Sequence, residues 1–316
     1  MFANVTGGAG TYANYLHNEF LSSNDHDFDF YILTHDAVEC DSKILKVDIG
    51  GKNDLSFYKK MVLYRERLNQ FMSNAKYQSY ILHANSALEL SRFLDVPAIK
   101  IANVNDYEVV NAIRLIPFNL KLYGFRSFKK IIGKLRARFH EKKVLSRVDS
   151  IISNSCYTTD CIKSGYGLKS VKTIYKSCNV SIFERRSRIH ADTSSFLFVA
   201  NDWRKKGLLP FLAAFSMIKR KGFKDAKLTV VGIPSRDYDD VVKRVDDLGL
   251  FDSVTVHGNL GMDELVGIYC ENCFLIVPAY IESLGIAILE AMSCGLIVAA
   301  ANRGGMTEII DDGVNG

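Results

Sequence analysis

Short apolar runs alternate with stretches of helical period almost from one end of this sequence to the other, and that rhythm constrains the fold more than any other feature. Strand-sized runs stand at 28–33, 80–82, 98–104, 150–153 and 171–175, then at 196–200, 227–231, 253–257, 273–277 and 296–300. Helical periodicity fills the gaps at 9–21, 55–75, 120–145, 158–164, 207–220, 239–248, 262–269 and 285–294. Apolar strands separated by helices are buried on both faces, which predicts parallel α/β sheets. The polar, charged stretch 184–195 interrupts the rhythm, so the boundary is placed there, giving domains 1–188 and 189–316. Each is large enough to bury its own core. Both are expected to be doubly wound, with ligands beyond the carboxyl ends of the strands and a cleft between the domains as the default site.

Composition narrows the class. No apolar run approaches the ~18 residues of a membrane span. Residues 1–8 contain neither a basic region nor an apolar one, so no signal peptide is expected. The seven cysteines are odd in number and scattered, as for reduced thiols in a cytoplasmic protein. Cys270 and Cys273 form a lone C-x-x-C without a second pair, which reads as packing rather than zinc or redox chemistry. The first strand is short and the last residues form a turn without a closing element, so the sequence is expected to be a fragment truncated at its C-terminal end.

The formal net charge of +5 is unevenly placed. Between residues 121 and 147 lie Lys121, Arg126, Lys129, Lys130, Lys134, Arg136, Arg138, Lys142, Lys143 and Arg147 against Glu141 alone. The rest of the chain is therefore net acidic. Apolar residues interleave with these cations at helical spacing, which fits a helix attracted to an anionic membrane surface. A core-facing helix with a solvated basic face is the plain alternative. Nucleic acid is not expected, because no recognised nucleic-acid module surrounds the segment.

The stretch 277–295 carries the most chemistry. A buried strand ends at Pro278, a loop follows with Glu282, and a helix opens near Leu284 or Gly285. Glycine at that point lets a ligand approach the helix N-terminus, whose free N–H groups and positive dipole end suit phosphate. Glu290 sits within that helix among Ile286, Ala287, Ile288, Leu289, Ala291 and Met292, where an idle carboxylate would be costly. Glu282 has a plain alternative as a solvated loop residue. The Gly-rich Gly7-Gly8-Ala9-Gly10 before a helical stretch suits either a phosphate cradle or an ordinary tight turn.

Glu282 through Glu290 resembles the E-x7-E element of retaining glycosyltransferases of family 4, which have the GT-B fold. The flanking LEAMSCG at 289–295, NRGGMTEIIDDGVNG at 302–316, VHGNLGMDELVGIY at 256–269 and VANDWRKKG at 199–207 resemble the same family. GGAGTYANYL at 7–16, HANS at 83–86, NVNDYE at 103–108 and ISNSCYTTD at 152–160 do so more loosely.

The resemblance implies a nucleotide-diphosphate-sugar donor and a glycan or lipid-linked glycan acceptor, as in polysaccharide, lipopolysaccharide or glycolipid biosynthesis at the cell envelope. Glu282 would contact the donor sugar hydroxyls and Glu290 the ribose; as acceptors, carboxylates suit vicinal diols. Backbone N–H groups of Ser283, Leu284 and Gly285 would hold the phosphates, with Gly8 near the donor phosphates or acceptor. Lys206 would neutralise the diphosphate leaving group, where a fixed cation is worth more in the transition state than in the ground state. No metal or other cofactor is then expected.

Two departures matter. Asn201 stands where such sequences have arginine, leaving Arg204 or Lys205 to supply a second charge. Asn105 stands where histidine is usual beside Asp106; Asp106 is a candidate contact to donor or acceptor, or else a helix cap. The expected location is cytoplasmic, peripheral on the inner face of the membrane. A non-catalytic nucleotide-sugar-binding relative or partner subunit is the alternative in another class, and a GT-B nucleotide-sugar epimerase the alternative among enzymes.

Overall fold

The computed structural model describes residues 32–34, 44–46, 57–74, 79–84, 87–105, 127–183 and 193–316. Gly8 with its glycine-rich loop, the 9–21 helix, Asp106, Lys121, Arg126 and residues 184–192 of the expected boundary lie outside these. The chain divides into two compact units, Met1–Ile174 and Tyr175–Gly316.

In the first unit, β1 (Ile32–Thr34) pairs in parallel with β2 (Ile44–Lys46), and α1 (Phe57–Asn74) follows. A second parallel sheet has the order β3-β4-β5-β6, from β3 (Ile81–Ala84), β4 (Ile99–Val104), β5 (Ser150–Ser153) and β6 (Lys172–Thr173). A short α2 (Ala87–Leu90) follows β3, and the long basic α3 (Ser127–Leu145) precedes β5. α4 (Cys156–Tyr166) starts where Ser155 accepts a hydrogen bond from the Thr158 N–H at 3.0 Å. It ends at Gly167, whose left-handed backbone donates to the Lys163 carbonyl.

The C-terminal end of α3 faces the core. Val144 and Leu145 are buried, Arg138 donates to the Gly165 carbonyl at 2.6 Å, and the Tyr166 hydroxyl donates to the buried Glu141. Arg136, His140, Lys142 and Lys143 are exposed, as is Phe139 at 75 %. Over residues 135–145 the helix is thus a packed element with a solvated basic face. Among the described residues, no helix is long and apolar enough to cross a membrane.

The second unit opens with the short α5 (Val180–Phe183). Its sheet is entirely parallel, built from β7 (Ser195–Val199), β8 (Lys227–Val231), β9 (Val254–Val256), β10 (Phe274–Val277) and β11 (Ile297–Ala300) in the order β11-β10-β7-β8-β9. The connecting helices are α6 (Leu208–Arg220), α7 (Tyr238–Asp247), α8 (Met262–Glu271) and α9 (Ile286–Ser293). Two apolar clusters cover the sheet. One gathers Phe198, Leu212, Phe215, Val230 and Val241; the other gathers Leu197, Tyr269, Leu275, Ile288 and Val298. Alternate residues of β7 thus feed opposite faces, as burial on both sides requires. At β11 that expectation fails, and Ile297 is 52 % exposed because, among the described residues, the strand has a neighbour on one side only.

Residues 175–183 fall within the second unit because their side chains pack there. The Phe183 ring meets Tyr269 edge-on at 5.9 Å, and Cys178 lies 3.3 Å from the Ser293 hydroxyl. The expected boundary at 188/189 falls later than this division. Cys270 and Cys273 are buried at the end of α8 and just ahead of β10, and burial pushes the neighbouring Cys294 thiol up to about 12.

Candidate active site

The strand order places the site. From β7 the chain moves outward through β8 to β9, then crosses back to lay β10 on the other side of β7. The crevice outside the carboxyl ends of β7 and β10 is therefore the topological switch point of this sheet. The loop after β7 carries Asn201 to Gly207, and the loop after β10 carries Pro278 to Gly285.

Backbone contacts join these loops. The Tyr280 N–H donates to the Lys205 carbonyl at 3.0 Å. Gly207 has φ +82°, and a Cβ built there would stand 2.3 Å from the Pro278 carbonyl oxygen. Only glycine fits such an approach. The loop after β11 closes in as well: a Cβ at Gly305 would fall 1.9 Å from the Ser283 oxygen, and one at Gly304 2.4 Å from the Glu282 oxygen. The Gly305 N–H donates to that Glu282 oxygen at 3.0 Å.

On this frame Lys206 and Glu282, 76 positions apart, form an ion pair. The other Glu282 oxygen accepts from the Ser283 N–H at 3.1 Å. Leu284 is buried, and Gly285, with φ +99°, turns the chain into α9. A Cβ built at Gly285 would stand 3.5 Å from the Glu282 side chain, so α9 begins beside the ion pair.

Glu290, one turn and more into α9, lies in different surroundings. Its Oε2 accepts from the Tyr269 hydroxyl at 2.8 Å. Burial pushes the Glu290 carboxyl above the usual range, and the Tyr269 hydrogen bond offsets part of this. Tyr269 is fully buried, and its hydroxyl is pushed well up by burial and by the neighbouring carboxylate. Sequence reasoning gave Tyr269 no role. No local pattern marks the pairing, because the two residues are 21 positions apart and meet only through the packing of α8 and α9.

Arg204 is not brought to the Lys206–Glu282 pair. Its guanidinium stacks on the buried Trp203 ring, 3.9 Å from the centroid, and donates to Asp237 and Asp240 at 3.0 Å each. This cation holds the Asp237 carboxyl below the usual range. Lys205 pairs with Asp202 at 2.8 Å. Asn201 is exposed at the end of β7.

In the first unit, Asn105 follows β4 directly. Its carbonyl accepts from the Asn154 amide at 3.3 Å, and its own side-chain nitrogen and oxygen are buried with no hydrogen-bond partner among the described residues.

Residues 171–316 match the family model for glycosyl transferases group 1. The D-inositol 3-phosphate glycosyltransferase of Paenarthrobacter aurescens (strain TC1) is 28% identical over 188 residues, covering 56% of this chain and 46% of that relative. The chain thus spans about half that relative's length. A solved sucrose-phosphate synthase from Thermosynechococcus elongatus superposes with a TM-score of 0.74 at 19% identity, covering 96% of this chain and 78% of its own. Anabaena Alr3699/HepE, solved in complex with UDP and glucose, superposes with a TM-score of 0.63 at 15% identity, covering 90% and 76%. The fold is GT-B, as the sequence led one to expect.

Proposed function

We propose that this chain, whose residues 171–316 match the family model for glycosyl transferases group 1, is a retaining hexosyltransferase acting on a nucleotide-diphosphate-sugar donor. The observation that carries this reading is the Lys206–Glu282 pair set beside the N-terminus of α9 at the switch point of a parallel sheet. The donor diphosphate sits over the free N–H groups that follow Gly285, where the helix dipole favours negative charge. Lys206 turns toward the leaving group as charge develops on it, stabilising the transition state more than the ground state. Glu282 then accepts from the sugar hydroxyls. Glu290, with Oε2 occupied by Tyr269, presents Oε1 to the ribose diol. In this reading the positive charge comes from protein side chains, and no metal is called for.

The resemblance assigns Asn105 and Asp106 to hydroxyl groups of donor or acceptor and Gly8 to the donor phosphates or the acceptor, and these roles are part of the proposal. The acceptor is a glycan or lipid-linked glycan of the cell envelope. The solved complex of Alr3699/HepE with UDP and glucose and the inositol phosphate in the other relative's name support a nucleotide-sugar donor and a polyol acceptor. The exposed basic face of α3, with Phe139, supports a peripheral place on the cytoplasmic face of a membrane. Failure to co-sediment with anionic vesicles at low ionic strength removes that last element.

The test is a panel of nucleotide sugars, read by thermal shift and by slow donor hydrolysis. One donor that raises the melting temperature and is hydrolysed is the expected result. No shift and no hydrolysis with any donor overturns the reading. Asn201, together with the diversion of Arg204 to Asp237 and Asp240, favours one second reading, a non-catalytic nucleotide-sugar-binding relative. Binding without hydrolysis or transfer would select it.

A further inference from the structure

We infer that Arg303 supplies the second positive charge to the donor diphosphate; this rests on the donor reading above. A departing nucleoside diphosphate carries more negative charge than one lysine neutralises, and Lys206 already faces Glu282. The neighbouring cations are committed elsewhere, Arg204 to Asp237 and Asp240 and Lys205 to Asp202. Asn201 brings no charge at all.

Arg303 differs from each of these. It follows β11, the strand beside β10, so its backbone emerges at the same carboxyl edge as the Glu282 loop. The next residue, Gly304, is where a Cβ would stand 2.4 Å from the Glu282 carbonyl oxygen, and Gly305 donates to that same oxygen. The Arg303 backbone is extended, with φ −166° and ψ 158°. Its side chain is exposed and, among the described residues, has no hydrogen-bond or ion-pair partner. A guanidinium rooted one residue before the glycine that packs on the Glu282 loop has the reach to close on a diphosphate held there. Its planar fork matches two phosphate oxygens at once, which an ammonium does not. An exposed arginine is ordinarily a solvated charge of little consequence; the glycines after it are what set this one apart. They tie its backbone to Glu282, so less freedom is lost when the side chain engages.

The experiment compares nucleoside diphosphates with their monophosphates. Binding of UDP, GDP and ADP and of UMP, GMP and AMP is measured by calorimetry on the wild type, Arg303→Ala, Arg303→Lys and Arg303→Ala combined with Asn201→Arg. For the preferred base, Arg303→Ala is expected to weaken the diphosphate about tenfold, the loss typical of a charge-assisted hydrogen bond. The monophosphate should weaken much less, and Arg303→Lys should fall between. Arginine at position 201 should restore much of the loss. Thermal unfolding without ligand should be unchanged, since the side chain is exposed. Equal diphosphate binding by wild type and Arg303→Ala overturns the inference while leaving the donor reading intact. Equal loss for diphosphate and monophosphate also overturns it, because the effect is then not on the added phosphate. A wild type that binds none of the diphosphates overturns the donor reading, and the inference with it.

Discussion

Glu282 and Glu290 stand eight positions apart, yet the protein keeps them by opposite means. Glu282 lies in a loop with a lysine against it and solvent within reach. Glu290 lies on a helix within an apolar cluster, held by a neutral phenol. The first arrangement keeps a charge available and lends it a counter-ion that a substrate phosphate can take over. The second holds a carboxylate where charge is disfavoured, which costs stability at neutral pH and is tolerated for what the free oxygen can bind. One motif thus contains a salt-linked group and a buried acid, and they should respond differently to the same perturbation.

The largest expected effect lies on the salt-linked side. Lys206→Ala should lower kcat by about a hundredfold or more, in line with removal of one preorganised charge at a transition state, while donor KM moves less. Near-normal turnover in steady-state assays would end its assigned role. Glu282→Gln comes next, with kcat/KM for the donor down about tenfold to a hundredfold, as expected when an ionised acceptor for sugar hydroxyls is lost.

Gly305→Ala tests the frame that holds Glu282. A methyl group 1.9 Å from the Ser283 oxygen forces backbone apart, with a stability loss of about 1–3 kcal/mol measurable by urea unfolding, and donor binding should weaken with it.

On the buried side, Glu290→Gln should raise donor KM with little change in kcat. The variant should nevertheless melt no lower than wild type at pH 7. Because the folded-state pKa of Glu290 is raised, the folded protein holds this proton more tightly than the unfolded chain does. Its contribution to stability is present below the ordinary carboxylate range and is lost as pH rises through the raised value. Any melting advantage of the neutral glutamine should therefore appear near neutrality and close as the pH is lowered into the acid range. Tyr269→Phe is the smallest kinetic change. It removes the donor and leaves the carboxylate less satisfied, so stability should fall by about 1–3 kcal/mol at neutral pH with only a modest rise in donor KM. If Glu290→Gln and Glu282→Gln gave the same kinetic signature, the contrast between the two carboxylates would collapse.

Much of this was legible in the sequence. The strands of the second unit follow its apolar runs to within a residue, from Ser195–Val199 to Ile297–Ala300, because a strand covered on both faces has little choice of composition. Gly285 marked a helix start, and Glu290 was singled out by its apolar neighbours. The pairings were not legible. Arg204, Lys205 and Lys206 are three adjacent cations whose partners lie after β8, in the same loop and after β10 respectively, and no local pattern distinguishes them. Which aspartate waits beside Arg204 depends on the short helical turn Ser235–Asp237 that delivers it. Tyr269 and Glu290 meet across 21 positions because α8 and α9 flank the same strand, a fact of topology rather than period.

The bracing of the loop after β10 by Gly207 on one side and Gly304 and Gly305 on the other has a consequence for redesign. Because the three segments interlock through main-chain atoms, they behave as a single graftable cassette. Exchanging the Glu282 loop alone between relatives would leave its carbonyls facing strangers, whereas moving 201–207, 278–285 and 301–305 together would carry the scaffold intact. Side chains on that scaffold, Asn201 and Arg303 among them, are then free to be rewritten for a different donor without asking the backbone to relearn its shape.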